Sequence, residues 1–294
     1  MEDVRIEYGD RHAGLLCVMA PPARLDLLAE GFPILLDSAR EFRRAATGLP
    51  GKSREARLLS ALAEEEAARI LILMDLVRCP ARQAQRRVGR IVRHFYDPLA
   101  RLIYADAQRW KPVHLAQLRA YVDHAREAHY LDGYSGDDVA PNWHRYSHGS
   151  AINADIALHP DGVVRWSRPG DAGSSGPALE PIALELAEAM NTAGMFDRRG
   201  LQAVSEIWDQ VDFTGRQTPE DSSQLTRTLL QRLDAERLVT KTVTGADLHL
   251  HLHLLLHDWQ MPMYDLAFNE AVVAPGTLHE DRDDFRSTPV ILPG

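Results

Sequence analysis

Ala61-Leu-Ala-Glu-Glu-Glu-Ala-Ala-Arg-Ile70 decides how the N-terminal half of this 294-residue chain is read. Alanine, leucine, glutamate and arginine are good helix formers, and no β-branched residue precedes Ile70. Positions 58, 62, 65, 69, 72 and 76 fall on one stripe of a helix, which sets Glu65 and Arg69 beside Leu58, Leu62, Ile72 and Leu76. That spacing predicts an inward-facing ion pair at i, i+4. The other reading is a solvated face, since three consecutive glutamates cannot all point inward.

Working outward, Pro21-Pro22 precedes a helix through Leu28, Phe32 and Leu36 that ends at the Gly48 to Gly51 breaker, and Ser53 is placed to cap the helix just described. A third helix is expected from about 81 to 96, interrupted or kinked at Pro98, and Pro112 opens a fourth. Past Tyr130 the chain turns polar and rich in turn residues, with a short strand-like stretch at 162–166. Helices are expected again at about 178–193, 201–211 and 222–238. Alternating runs at 238–243 and 248–256 then suggest a β-hairpin, an order like that of a winged helix. The reading is therefore mainly α: a four-helix bundle over 20–145, a mixed α+β region over 146–272 ending in the hairpin, and a coil tail over 273–294.

Composition is ordinary for a globular protein, with 45% hydrophobic and 26% charged residues. No apolar run approaches the roughly 20 residues that span a bilayer. The first residues lack the basic and apolar regions of a signal peptide, and Cys17 and Cys79 are the only cysteines, so a cytoplasmic protein with no membrane partner and no disulfide framework is expected. The net charge is −9, but residues 78–111 hold nine arginines and lysines against Asp97 and Asp106. That segment carries +7 and the remainder −16. A basic stripe of this kind points to an anionic partner.

The third helix contains Gln85-Arg-Arg-Val-Gly-Arg-Ile-Val-Arg-His94, in which Arg87, Arg90 and His94 recur at three- and four-residue spacing. Metal-free RNA cleavage needs a histidine to move the proton of a 2′-hydroxyl and guanidinium charge to stabilise the phosphate. A basic helix facing solvent or an acidic partner is the alternative. Arg109 and His114 form a lesser pair across Pro112. His249, His251, His253 and His257 share strand parity; such a row could hold a transition metal, but no carboxylate or cysteine completes a recognised spacing and the polar face of an amphipathic hairpin is the simpler account. Neither a phosphate-binding glycine loop nor a HExxH, paired CxxC or GxSxG motif is present, so no cofactor or metal is expected.

Leu62-Ala63-x-Glu65-Glu66-x-x-Arg69, the Arg-rich run ending in His94, and Arg126-Glu-Ala-His-Tyr-Leu-Asp132 followed by Gly133 and Pro141 together resemble the HEPN domains of AbiV-type abortive-infection proteins over residues 20–145. The resemblance implies a four-helix bundle, antiphage defence, homodimerisation and RNA cleavage by an arginine and a histidine with four to six residues between them. Arg87 and His94 have six residues between them, with Val88 where the family often has a polar residue, and Pro98 stands where a histidine would follow Arg93. On this reading His94 is the acid–base, Arg87, Arg90 and Arg93 bind phosphate, and Glu65 orients an arginine. Arg69, Arg82, Arg86 and Arg101 are expected to contact RNA. A regulatory or phage-derived protein is a further expected partner. The alternatives are a non-catalytic HEPN module that binds RNA, a nucleotide or an acidic protein, and a metal hydrolase built on the histidine row.

Overall fold

The computed structural model describes residues 12–50, 53–130, 155–158, 164–167, 182–240 and 245–268. Nine α-helices occur among the described residues. A 3₁₀ turn, His12–Cys17, leads into α1 (Pro21–Thr47), α2 (Arg54–Arg78), α3 (Ala81–Tyr96), α4 (Pro98–Ala107) and α5 (Leu115–Tyr130). An antiparallel pair, β1 (Asp155–Leu158) and β2 (Val164–Ser167), precedes α6 (Ile182–Thr192), α7 (Arg198–Trp208), α8 (Pro219–Ala235) and α9 (Gly245–His257).

Local signals account for most helix ends. The Ser53 hydroxyl accepts the Ala56 N–H at 3.1 Å and starts α2. Pro98 forces Asp97 into an extended conformation, so the chain breaks there into two helices, and the Asp97 carboxylate caps α4 by accepting from Leu99. Thr218 and Asp221 form a reciprocal capping box at the start of α8. Gly194, at φ +80°, turns the chain from α6 toward α7; a Cβ there would lie 2.4 Å from the Leu238 carbonyl oxygen.

The middle of the molecule is α2. Its first half is one-sided, but from Ala67 onward every residue except Arg69 is buried, because α1, α3, α4, α6 and α7 surround it. Phe32 of α1 meets Phe196, between α6 and α7, with ring centroids 5.0 Å apart. Residues on both sides of the expected boundary near 146 therefore share one hydrophobic core.

All three glutamates of the opening stretch are engaged. Glu64 accepts the Ala183 and Leu184 N–H groups at 3.0 and 3.3 Å, at the start of α6. Glu65 pairs with Arg101 at 2.9 Å, and Glu66 pairs with Arg69 at 2.7 Å. The expected Glu65–Arg69 pair is thus replaced by two others. Helix spacing permits i, i+3 as readily as i, i+4, and a third element supplied Arg101.

The expected C-terminal hairpin is absent. Residues 245–257 form helix α9, and the described part of the C-terminal half is helical apart from the two-stranded ribbon. The winged-helix order falls with the hairpin. Leucine and histidine alternate from 248 to 254, but the segment holds no β-branched residue, and leucine is among the better helix formers. Burial follows the helical period: Leu248, His251, Leu252 and Leu255 turn inward while Leu250 is exposed.

After α9 the chain runs as an irregular strap, residues 258–268, through the core. Trp259, Met261, Met263, Tyr264, Leu266 and Phe268 are all buried on it. Asp75 of α2 anchors the strap: its carboxylate accepts from Arg78 Nε at 2.9 Å, Tyr104 Oη at 3.0 Å and the Met263 N–H at 2.7 Å. Arg78 lies between Trp208 and Trp259, 4.8 and 4.2 Å from their ring centroids, and donates to the Gln260 carbonyl. Gln260 in turn donates to the carbonyls of Ala107 and Trp110. The charged groups and the Gln260 amide of this junction are paired, as burial requires, whereas the indole N–H groups of Trp208 and Trp259 are buried without a hydrogen-bond partner among the described residues.

Candidate nucleic-acid interface

Helix α3 presents two unlike faces. Val88, Ile91 and Val92 pin it to the core, and the same rotation carries Arg87 and His94 inward. Arg87 is 2% exposed. Its guanidinium makes a two-pronged contact with Asp265 of the strap, one prong at 2.9 Å, bonds Asp212 at 2.8 Å, and lies 4.4 Å from the centre of the Tyr264 ring. Tyr264 completes the group by accepting the Phe213 N–H at 2.8 Å. Arg87 is therefore the cation that holds the strap and the chain after α7 against α3.

His94 is 3% exposed and packs against Phe268, with ring centroids 4.8 Å apart, and against Tyr104. Its Nδ1 is buried with no hydrogen-bond partner. Burial, helped by the charges of Arg90 and Arg93, lowers its pKa to about 3, so the ring is neutral near pH 7. A proton shuttle works best with a pKa near the working pH and with access to substrate; His94 in this arrangement has neither.

The outer face is different. Arg82, Arg86, Arg90 and Arg93 are exposed, at spacings of four, four and three, and extend along about 16 Å of helix at 1.5 Å per residue. Arg90 is 45% exposed and touches Asp265 at 3.4 Å and its backbone carbonyl at 3.1 Å. Arg82, Arg86 and Arg93 form no ion pair among the described residues.

The remaining expected contacts are structural. Arg101 is tied to Glu65 and to the carbonyls of Phe95 and Tyr96, fixing the corner between α3 and α4. Arg69 pairs with Glu66 and lies over the Phe95 ring. Glu65 does orient an arginine, but it is Arg101. In all, six of the nine basic residues between 78 and 111 are held by carboxylates. The partners Asp75, Asp212 and Asp265 were not singled out from sequence. The available signal was the strap itself, Trp259-Gln-Met-Pro-Met-Tyr-Asp-Leu-Ala-Phe268, where one acid stands in an apolar run.

Compared with known protein families, curated proteins and solved structures, the chain matches none. No helix among the described residues is long and apolar enough to cross a membrane.

Proposed function

We propose that this chain is a HEPN-type abortive-infection protein that binds RNA, without cutting it at His94, across the exposed arginine row of α3. The observation that carries this reading is the division of one helix into a buried inner set, Arg87 and His94, and an exposed outer set, Arg82, Arg86 and Arg93, that forms no ion pair among the described residues. Guanidinium groups along a helix match a run of phosphates and carry no base preference of their own. The defence role and the homodimer rest on the resemblance set out from sequence, and the cytoplasmic setting on the sparse cysteines. A regulatory or phage-derived protein would then act on the bound state.

Fluorescence anisotropy with a labelled single-stranded RNA, measured across a potassium chloride series, tests the reading. Four phosphate contacts give a log–log salt slope of about −3, and the RNA is recovered intact. Absence of binding at low salt overturns the reading. So does the appearance of defined RNA ends that depend on His94, which would restore the endoribonuclease.

A further inference from the structure

The histidine row of α9 is left unused by this reading, and the helix rearranges it. As a strand, its four imidazoles would share one face; as a helix, His249, His253 and His257 lie on successive turns of an outer face, and His251 turns toward the core. His251 is half-buried, with its Nδ1 enclosed and unpartnered. His249, His253 and His257 are exposed.

One pair of this row is already assembled. The rings of His253 and His257 are in contact, with centroids 4.3 Å apart. Neither ring makes a hydrogen bond among the described residues, so their nitrogens are available as donors. The nearby cation, Lys111, is tied to the Asp258 carboxylate at 2.6 Å and to the His257 backbone carbonyl at 3.0 Å. It is thereby held by oxygens that offset its repulsion of a second positive charge.

We propose that His253 and His257 form a two-histidine site for a borderline transition ion, Cu²⁺, Ni²⁺ or Zn²⁺, with water in the remaining positions. Neutral imidazole suits these metals and does not suit Mg²⁺ or Ca²⁺, which take oxygen ligands. Residues at i, i+4 stand one turn apart on one side of a helix, so two imidazoles can converge on a single ion there. His249 and His257 are two turns, about 12 Å, apart along the axis. They cannot share an ion, which makes the site bidentate.

The test is calorimetric titration of the full chain, purified without a histidine tag, with NiCl₂, ZnCl₂, CuCl₂ and MgCl₂ in separate runs. One Ni²⁺ binds per chain, Cu²⁺ binds more tightly than Ni²⁺ or Zn²⁺, and Mg²⁺ gives no heat of binding. His253→Ala or His257→Ala weakens Ni²⁺ by about tenfold or more, because one of two ligands is gone; His251→Ala leaves it unchanged. Alanine favours helix and both rings are exposed, so helicity measured by circular dichroism stays the same in these variants. Failure of the wild-type chain to bind Ni²⁺, or undiminished Ni²⁺ affinity in the His253→Ala/His257→Ala double variant, overturns the proposal.

Discussion

Arg86 and Arg87 are adjacent in sequence and opposite in fate. Arg86 stands in solvent without an ion pair among the described residues, whereas Arg87 is enclosed by Asp212, Asp265 and Tyr264. One residue step turns an α-helix by about 100°, enough to move a side chain from surface to core. Charge by itself therefore does not tell a phosphate-binding arginine from a structural one. Whether carboxylates from elsewhere in the chain reach it does.

The contrast is broken most directly by paired substitutions. Arg87→Ala leaves Asp212 without its cation and Asp265 with only the longer contact to Arg90, both acids mostly buried, and costs about 3–5 kcal/mol of stability. Arg86→Ala next to it removes an exposed side chain and stays within about 0.5 kcal/mol of wild type. Urea denaturation of the two variants checks this; equal midpoints would mean that the strap is not held by Arg87.

A smaller effect is expected on RNA. Reversing the outer row with Arg82→Glu, Arg86→Glu and Arg93→Glu together lowers affinity at low salt by at least about tenfold, or 1.4 kcal/mol, and flattens the salt dependence. Stability is little changed. Unaltered RNA affinity in this variant would place the anion site elsewhere on the molecule.

The smallest effect concerns pH. The His94 pKa is about 3 in the folded chain, against 6.5 for an ordinary histidine, so only the unfolded chain takes up that proton between these values. This contribution destabilises the fold as pH falls below about 6.5, by up to about 1.4 kcal/mol per pH unit. Glu64 acts in the opposite sense. Burial raises its pKa to about 7, against the N–H groups of Ala183 and Leu184, and the folded chain holds its proton between about 4.5 and 7. That contribution raises stability as pH falls, so the two offset each other from about 6.5 to 4.5. His94→Leu removes one side of the balance, and its stability relative to wild type should grow as pH is lowered from 7 to 5. Parallel urea midpoints over that range would show His94 titrating as an ordinary exposed histidine.

Much of the helical framework was legible in the sequence. Ser53, Asp97-Pro98 and the periodic leucines of α1 act through local geometry, which needs no distant partner. The 248–256 run misled because the Leu–His alternation copies a strand, while residue propensity and the packing of Leu252 and Leu255 favoured a helix. The candidate site was legible only as a list of cations. Arg82, Arg86, Arg90 and Arg93 do share an exposed face, but Arg87, Arg101 and Arg69 proved to be fasteners between elements. Their acids lie at 265, 65 and 66; the first is 178 residues from Arg87 and invisible to any local spacing rule.

The sequence by itself determined that this is a mainly helical chain with a concentrated basic segment, because helix propensity, capping and charge are properties of neighbouring residues. Only the tertiary structure decided which of those charges remain open to a partner. Most of the +7 of residues 78–111 is met by carboxylates of the acidic remainder, Glu65, Asp75, Asp212, Asp258 and Asp265, the last two on the 258–268 strap, and one row of α3 is left exposed. Coulomb attraction and desolvation act through space, so the effective charge of a segment is set by what packs against it.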